Sequence, residues 1–151
     1  MKTLNAIETL KTTSVCIKNM LETPIEEFYR KNNLDLNAAK YYNEEYNAFV
    51  CIRNFLDDFY HYENYRLQML DEEPTLTGNE RFDAFLAALC EHFAYHYNLK
   101  TPNWVLKPER FLKKWWFPTN YEFMTAMCLV QSPASFKRRG IFIDNSFFER
   151  V

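Results

Sequence analysis

His92 and His96 stand four residues apart, a spacing that places two imidazoles on one side of a helix and within reach of one metal ion. The order around them is Glu91-His92-x-x-x-His96, not the HExxH of a zinc hydrolase. Glu91 turns away from His96, and Cys90 falls on the other flank. A zinc site takes at least three protein ligands. The pair is therefore read as no metal site, with His96 a hydrogen-bonded histidine inside an apolar helix face. Asp57 and Asp58 are adjacent, about 100° apart on a helix, so both cannot line one pocket. No Ser, Cys and His are spaced to nominate a nucleophilic set. The chain holds only 2 Gly, Gly78 and Gly140, so it can write neither GxGxxG, GxxxxGK[ST] nor GxSxG. The balance leans away from an enzyme, and no cofactor is implied.

A different chemistry stands out between residues 104 and 117. Trp104, Phe111, Lys113, Lys114, Trp115, Trp116 and Phe117 crowd this stretch. Tryptophan beside cations is the composition of protein–protein hot spots, and it can also stack unpaired bases. Adjacent residues rarely both face inward, so one of Trp115 and Trp116 is expected in the core and the other at the surface. Lys137, Arg138 and Arg139 form a second basic cluster at a helix end. There, cations complement the negative end of the helix dipole or fork an acidic partner. The candidate partner-binding residues are thus Trp104, Lys113, Lys114, Trp115, Trp116, Lys137, Arg138 and Arg139.

The elements that must position these residues are helical. Four S/T-x-x-E boxes, beginning at Thr23, Thr77, Thr119 and Ser146, read as helix starts. Pro24, Pro102, Pro108 and Pro133 suit first helical positions. A first helix is predicted over 5–21 with Ile7, Leu10, Ser14, Ile17 and Leu21 on one stripe, and a short one from Pro24 to Lys31. Asp35 opens a long segment to Leu70 that must break at a point the pattern does not show. Its apolar face includes Tyr42, Tyr46, Phe49, Ile52, Leu56, Phe59, Tyr60 and Leu67. Residues 71–78 form a loop. Residues 78–98 form an amphipathic helix with Phe82, Phe85, Leu86, Leu89, Phe93, His96 and Tyr97 on one face and Glu80, Ala87, Glu91 and Asn98 opposite. Residues 119–131 are apolar almost all round and read as the central buried helix. Gly140 ends a last short helix in the left-handed conformation. Ile141-Phe142-Ile143 reads as an extended plug without a partner strand. The expectation is a single all-α domain over 1–151, a bundle of about 6–8 helices, some of them short.

The net charge is −2, but it is unevenly spread. Residues 1–75 carry 8 Lys+Arg against 13 Asp+Glu, and residues 76–151 carry 10 against 7. A pI near 5.9 disfavours nucleic acid as the partner. Cys16, Cys51, Cys90 and Cys128 are far apart and lie in helical or apolar stretches. They read as reduced thiols. There is no secretory h-region and no run of about 20 apolar residues. A cytoplasmic protein with no membrane segment is expected.

Several segments together resemble a helical domain found in uncharacterised bacterial proteins. They are Phe55 to Tyr60, Arg81 to His92, Pro102 to Val105, Arg110 to Leu112, Trp116 to Pro118 and, most specific, Ser132-Pro-Ala-Ser-Phe-Lys-Arg-Arg-Gly-Ile-Phe-Ile143. In that family the domain often follows a helix-turn-helix module and is often encoded beside a nucleotidyltransferase-like protein, in the manner of a toxin–antitoxin pair. The resemblance implies a non-enzymatic, antitoxin-like protein-binding module and carries no catalytic residues. Residues 1–50 hold no glycine and are net acidic, so the helix-turn-helix of the fused relatives has no counterpart here. The alternatives are a nucleic-acid-binding regulator using the basic half, or a binder of a small ligand between helices.

Overall fold

A computed structural model describes residues 6–22, 27, 30, 31, 33, 44–118 and 122–149. Among them the secondary structure is helical: α1 (Thr9–Glu22), α2 (Glu44–His61), α3 (Arg66–Asp71), α4 (Glu80–His96), α5 (Thr125–Gln131) and α6 (Ala134–Lys137), joined by 3₁₀ turns. The all-α class holds. The chain divides into two compact units, one of Met1–Met69 with Pro74–Thr77 and one of Leu70–Glu73 with Gly78–Val151. The loop expected over 71–78 is thus shared between them. Asp35, Tyr42, the box at Thr23 and most of the short helix after Pro24 lie outside the described residues, as does Thr119.

In the first unit α1 packs on α2. Leu10, Thr13, Ser14 and Ile17 of α1 are buried, as are Ala48, Ile52, Phe55 and Phe59 of α2, whose 4-3-4 spacing draws one helix face. Tyr46 and Leu67, expected on the apolar face, are exposed instead. The long segment breaks at Tyr62, whose ψ of 65° leaves the helix. Arg66 secures that end. Its Nε donates to Phe59 O (3.0 Å) and its Nη2 to Tyr60 O (3.2 Å), satisfying carbonyls that the helix leaves open. Cys16 and Cys51 form a disulfide across α1 and α2, with Cα atoms 6.1 Å apart. This corrects the reading of four reduced thiols: packing brings two distant half-cystines together, which spacing could not reveal. Cys90 and Cys128 are free and buried.

In the second unit the central helix is α4, not the 119–131 segment. Every residue from Phe82 to Cys90 is buried, so the face expected to be solvated is covered in its middle, at Ala87 and partly at Glu91, while Glu80 and Asn98 at its ends are exposed. Two 3₁₀ turns, Asn103–Leu106 and Pro108–Arg110, and the short α6 pack on it. By contrast α5 is mostly exposed, with Cys128 its only buried residue. Phe123 ahead of it is 83% exposed and Val130 within it 77%. Apolar composition there marks surface, not core.

The caps also differ from the boxes. Asn79, not Thr77, caps α4, its Oδ1 accepting from Arg81 N at 2.9 Å. Asp144, not Ser146, caps the 3₁₀ turn Asn145–Phe148. Pro102 and Pro133 precede their helical turns as caps, and Pro108 is a first residue. Both long and short helices end alike. Leu99 N donates to Ala94 O and Asn98 N to Tyr95 O after α4; Ile141 N donates to Phe136 O and Gly140 N to Lys137 O after α6. The residues in the left-handed position are Asn98 (φ 56°) and Gly140 (φ 76°). Ile141 is not partnerless: it forms a single parallel bridge with Trp116.

The Cys16–Cys51 link spans a sequence separation of 35 residues, and a loop of that length stabilises a fold by about 2–4 kcal/mol. Thiol titration of the protein unfolded without reductant should find two reactive thiols, not four. Adding dithiothreitol should lower the urea midpoint of the first unit.

Candidate functional site

Two buried arginines organise the second unit. Arg139 is fully buried. Its Nη1 donates to the Glu91 carboxylate and to Ser135 O (2.9 Å), and its Nη2 to Val105 O (2.7 Å). Its guanidinium lies 4.4 Å from the centre of the Phe111 ring. One side chain thereby ties α4, α6 and the 103–106 turn. Arg138, half exposed, takes the other oxygen of Glu91. Arg110 is the counterpart: fully buried, it donates to Asp83 O (3.3 Å) and Glu73 Oε1 (3.2 Å) and lies over Trp104 at 4.9 Å. Glu73 also receives Lys107 at 2.5 Å. Burial alone would raise the Glu73 and Glu91 carboxyls, but the bonded cations win and hold both below the usual range.

These contacts sort the residues singled out in the sequence. Trp104 is buried and its Nε1 donates to Leu70 O at 2.9 Å. Trp116 is buried among aromatics, its ring 5.4 Å from Phe82 and 6.1 Å from Phe85. Arg139 is an internal tie. Lys137 is exposed, and its Nζ donates to Val130 O (3.3 Å) near the end of α5, not to a carbonyl of α6, the helix it ends.

Lys113, Lys114 and Trp115 face solvent. Trp115 is 71% exposed. Neither lysine forms an ion pair with any described residue. Trp115 is not loose. Trp116 N donates to Gly140 O (2.8 Å), Phe142 N to Trp116 O (3.0 Å) and Leu112 N to Arg139 O (3.3 Å). The indole meets the Phe142 ring at 5.1 Å. Gly140 lies beneath it: a Cβ built there would stand 3.5 Å from the indole Cδ1.

Sequence reasoning missed a cleft of about 520 Å³ between the end of α4 and the start of α6. His92 and His96 line it with near-parallel rings 5.7 Å apart. His96 is exposed, not in the core, because α4 buries its other faces and runs out into solvent at its last turn. His92 is half-buried against Phe148, with ring centres 4.6 Å apart. Burial, and secondarily the charge of His96, lowers its pKa from 6.5 to about 4. No group of three or more metal-ligating side chains occurs among the described residues. No described helix is long and apolar enough to cross a membrane. Compared with known families, curated proteins and solved structures, the chain finds no match.

Two measurements test the network. Removing one partner of a buried ion pair costs about 3–5 kcal/mol, so Arg139→Met should lower the urea-measured stability by that order, and adding Glu91→Gln should restore part of it. For His92 the folded pKa lies below the unfolded one, so the unfolded chain takes the proton first as pH falls. Its stabilising share is complete above the unfolded pKa of 6.5 and is lost as pH falls towards about 4. Stability curves from pH 8 to pH 4, about the span set by the ordinary and shifted histidine values, should be shallower for His92→Gln than for the natural chain.

Proposed function

We propose that the chain is a non-enzymatic protein-binding module whose contact centre is Trp115 flanked by Lys113 and Lys114. By resemblance, its partner is the nucleotidyltransferase-type protein of a bacterial toxin–antitoxin-like pair. The observation that carries the reading is a tryptophan 71% exposed yet held through the backbone of Trp116, bonded to Gly140 and Phe142 on either side. An aromatic held this way loses little freedom on docking, which is what a hot-spot anchor requires. The two lysines have no ion-pair partner among the described residues, so their charge is available to an acidic surface. Lys137 and Arg138 extend the basic rim. Trp104, Trp116 and Arg139 act from within, as supports of the 104–117 segment. Occlusion of a carboxylate-rich, metal-binding site on the partner is the mechanism this chemistry suits.

Co-purification of the tagged chain with the nucleotidyltransferase-type protein encoded beside it tests the reading. The pair should stay together at physiological salt. Trp115→Ala should weaken it by about thirty-fold, the effect of a 2 kcal/mol hot spot. The double change Lys113→Glu with Lys114→Glu should mainly slow association. No retention of that partner, or an undiminished complex in Trp115→Ala, overturns the proposal. Steeply salt-dependent capture of a single-stranded oligonucleotide in its place would favour the nucleic-acid alternative.

A further inference from the structure

The cleft at the end of α4 does not involve Trp115 and has a chemistry of its own. Neither imidazole makes a hydrogen bond with any described residue, although His92 and His96 both line the cavity. With burial keeping its ring uncharged near neutral pH, His92 presents one donor and one acceptor nitrogen. Gln131 uses its Oε1 to accept Asn145 N at 3.2 Å, which leaves its amide N–H₂ group for another acceptor. Pro133 and Ala134 add apolar wall. At the rim, Arg138 spends Nη2 on Glu91, and its remaining N–H groups have no partner among the described residues.

The charge balance selects the ligand's sign. Among the described residues Glu91 is the only carboxylate lining the cleft, and its two oxygens are each taken by a guanidinium, one from Arg138 and one from Arg139. Arg138 lines the cleft and Arg139 lies buried behind Glu91, so two cations stand against that one anion and leave an excess positive charge at the wall. The buried one is only weakly screened by solvent. The ring walls select the shape. His92 and His96 are near-parallel, and His92 is backed by Phe148, so flat surface lies beside unsatisfied ring nitrogens and an amide. The volume is in the range of small-molecule sites.

We propose that this cleft binds a planar heteroaromatic small molecule carrying an anionic group, of about the size of a nucleoside monophosphate. The ring lies against the histidine wall, where imidazole nitrogens and the Gln131 amide read its heteroatoms. The anion meets the free N–H groups of Arg138.

Isothermal titration of the full chain in EDTA, so that no histidine-bound metal mediates, tests this with AMP, GMP, CMP and UMP. At least one should bind saturably below millimolar. The matching nucleoside should bind about ten-fold more weakly, the worth of one charge-assisted hydrogen bond. Inorganic phosphate alone should bind more weakly than the nucleotide. Arg138→Gln should reproduce the ten-fold loss with an unchanged circular dichroism spectrum, and Gln131→Ala should alter the preference among bases. Three results overturn the proposal: no saturable binding by any of the four, equal affinity for nucleotide and nucleoside, or phosphate binding as tightly as the nucleotide. A complex with the neighbouring protein that fails to form would leave this experiment unaffected.

Discussion

The second unit depends on the burial of Arg139. A guanidinium taken wholly out of water carries a desolvation penalty of several kcal/mol, offset only when its donors are met. Here both Nη atoms meet partners, a carboxylate on α4, a carbonyl of α6 and a carbonyl of the 103–106 turn, with the Phe111 ring against the guanidinium, and only the Nε has none among the described residues. Among its described residues the chain between α4 and α5 has no helix of two turns and no sheet, so these residues cannot satisfy their backbone by a ladder of their own. Short turns of this kind stay in place because something central accepts or donates to them. Arg139 does so at one end of α4 and Arg110 at the other.

This arrangement changes the meaning of the basic half. Part of its positive excess is spent internally, on Glu73, Glu91 and main-chain carbonyls. Among the described residues of this half, the cations that reach solvent are Arg81, Lys100, Lys107, Lys113, Lys114, Lys137 and Arg138, with Lys107 shared with Glu73 and Arg138 with Glu91. A net count of charge by sequence halves therefore overstates the field that the surface presents.

The helices were legible where one physical rule acted alone. The α1 stripe at Leu10, Ser14 and Ile17 follows from period, and the left-handed stop at Gly140 from the absence of a Cβ. The split between Trp115 and Trp116 follows from adjacency. Misreadings came where long-range packing decided. The apolar 119–131 segment resembles a core helix by composition, yet its described residues lie mostly at the surface. Helix α4 looks amphipathic, yet Glu91 on its supposed wet face is the partner of two arginines. The half-cystines Cys16 and Cys51 had no sequence signal, since only the pairing of α1 with α2 brings them together. The histidine cleft was invisible for the same reason: the rest of its lining, from Gln131 to Asn145, lies roughly forty to fifty positions after His92.

Gly140 joins two demands that are usually separate. Its positive φ closes α6, and its carbonyl accepts Trp116 N, holding the segment that carries Trp115 with the indole against it. The end of one helix and the pose of the exposed ring are thus a single mechanical part. An anchor mounted this way meets its target with only two side-chain torsions left to freeze. The benefit of such a mount falls on the lifetime of a complex more than on the speed of encounter, since diffusion is indifferent to a ring already held still.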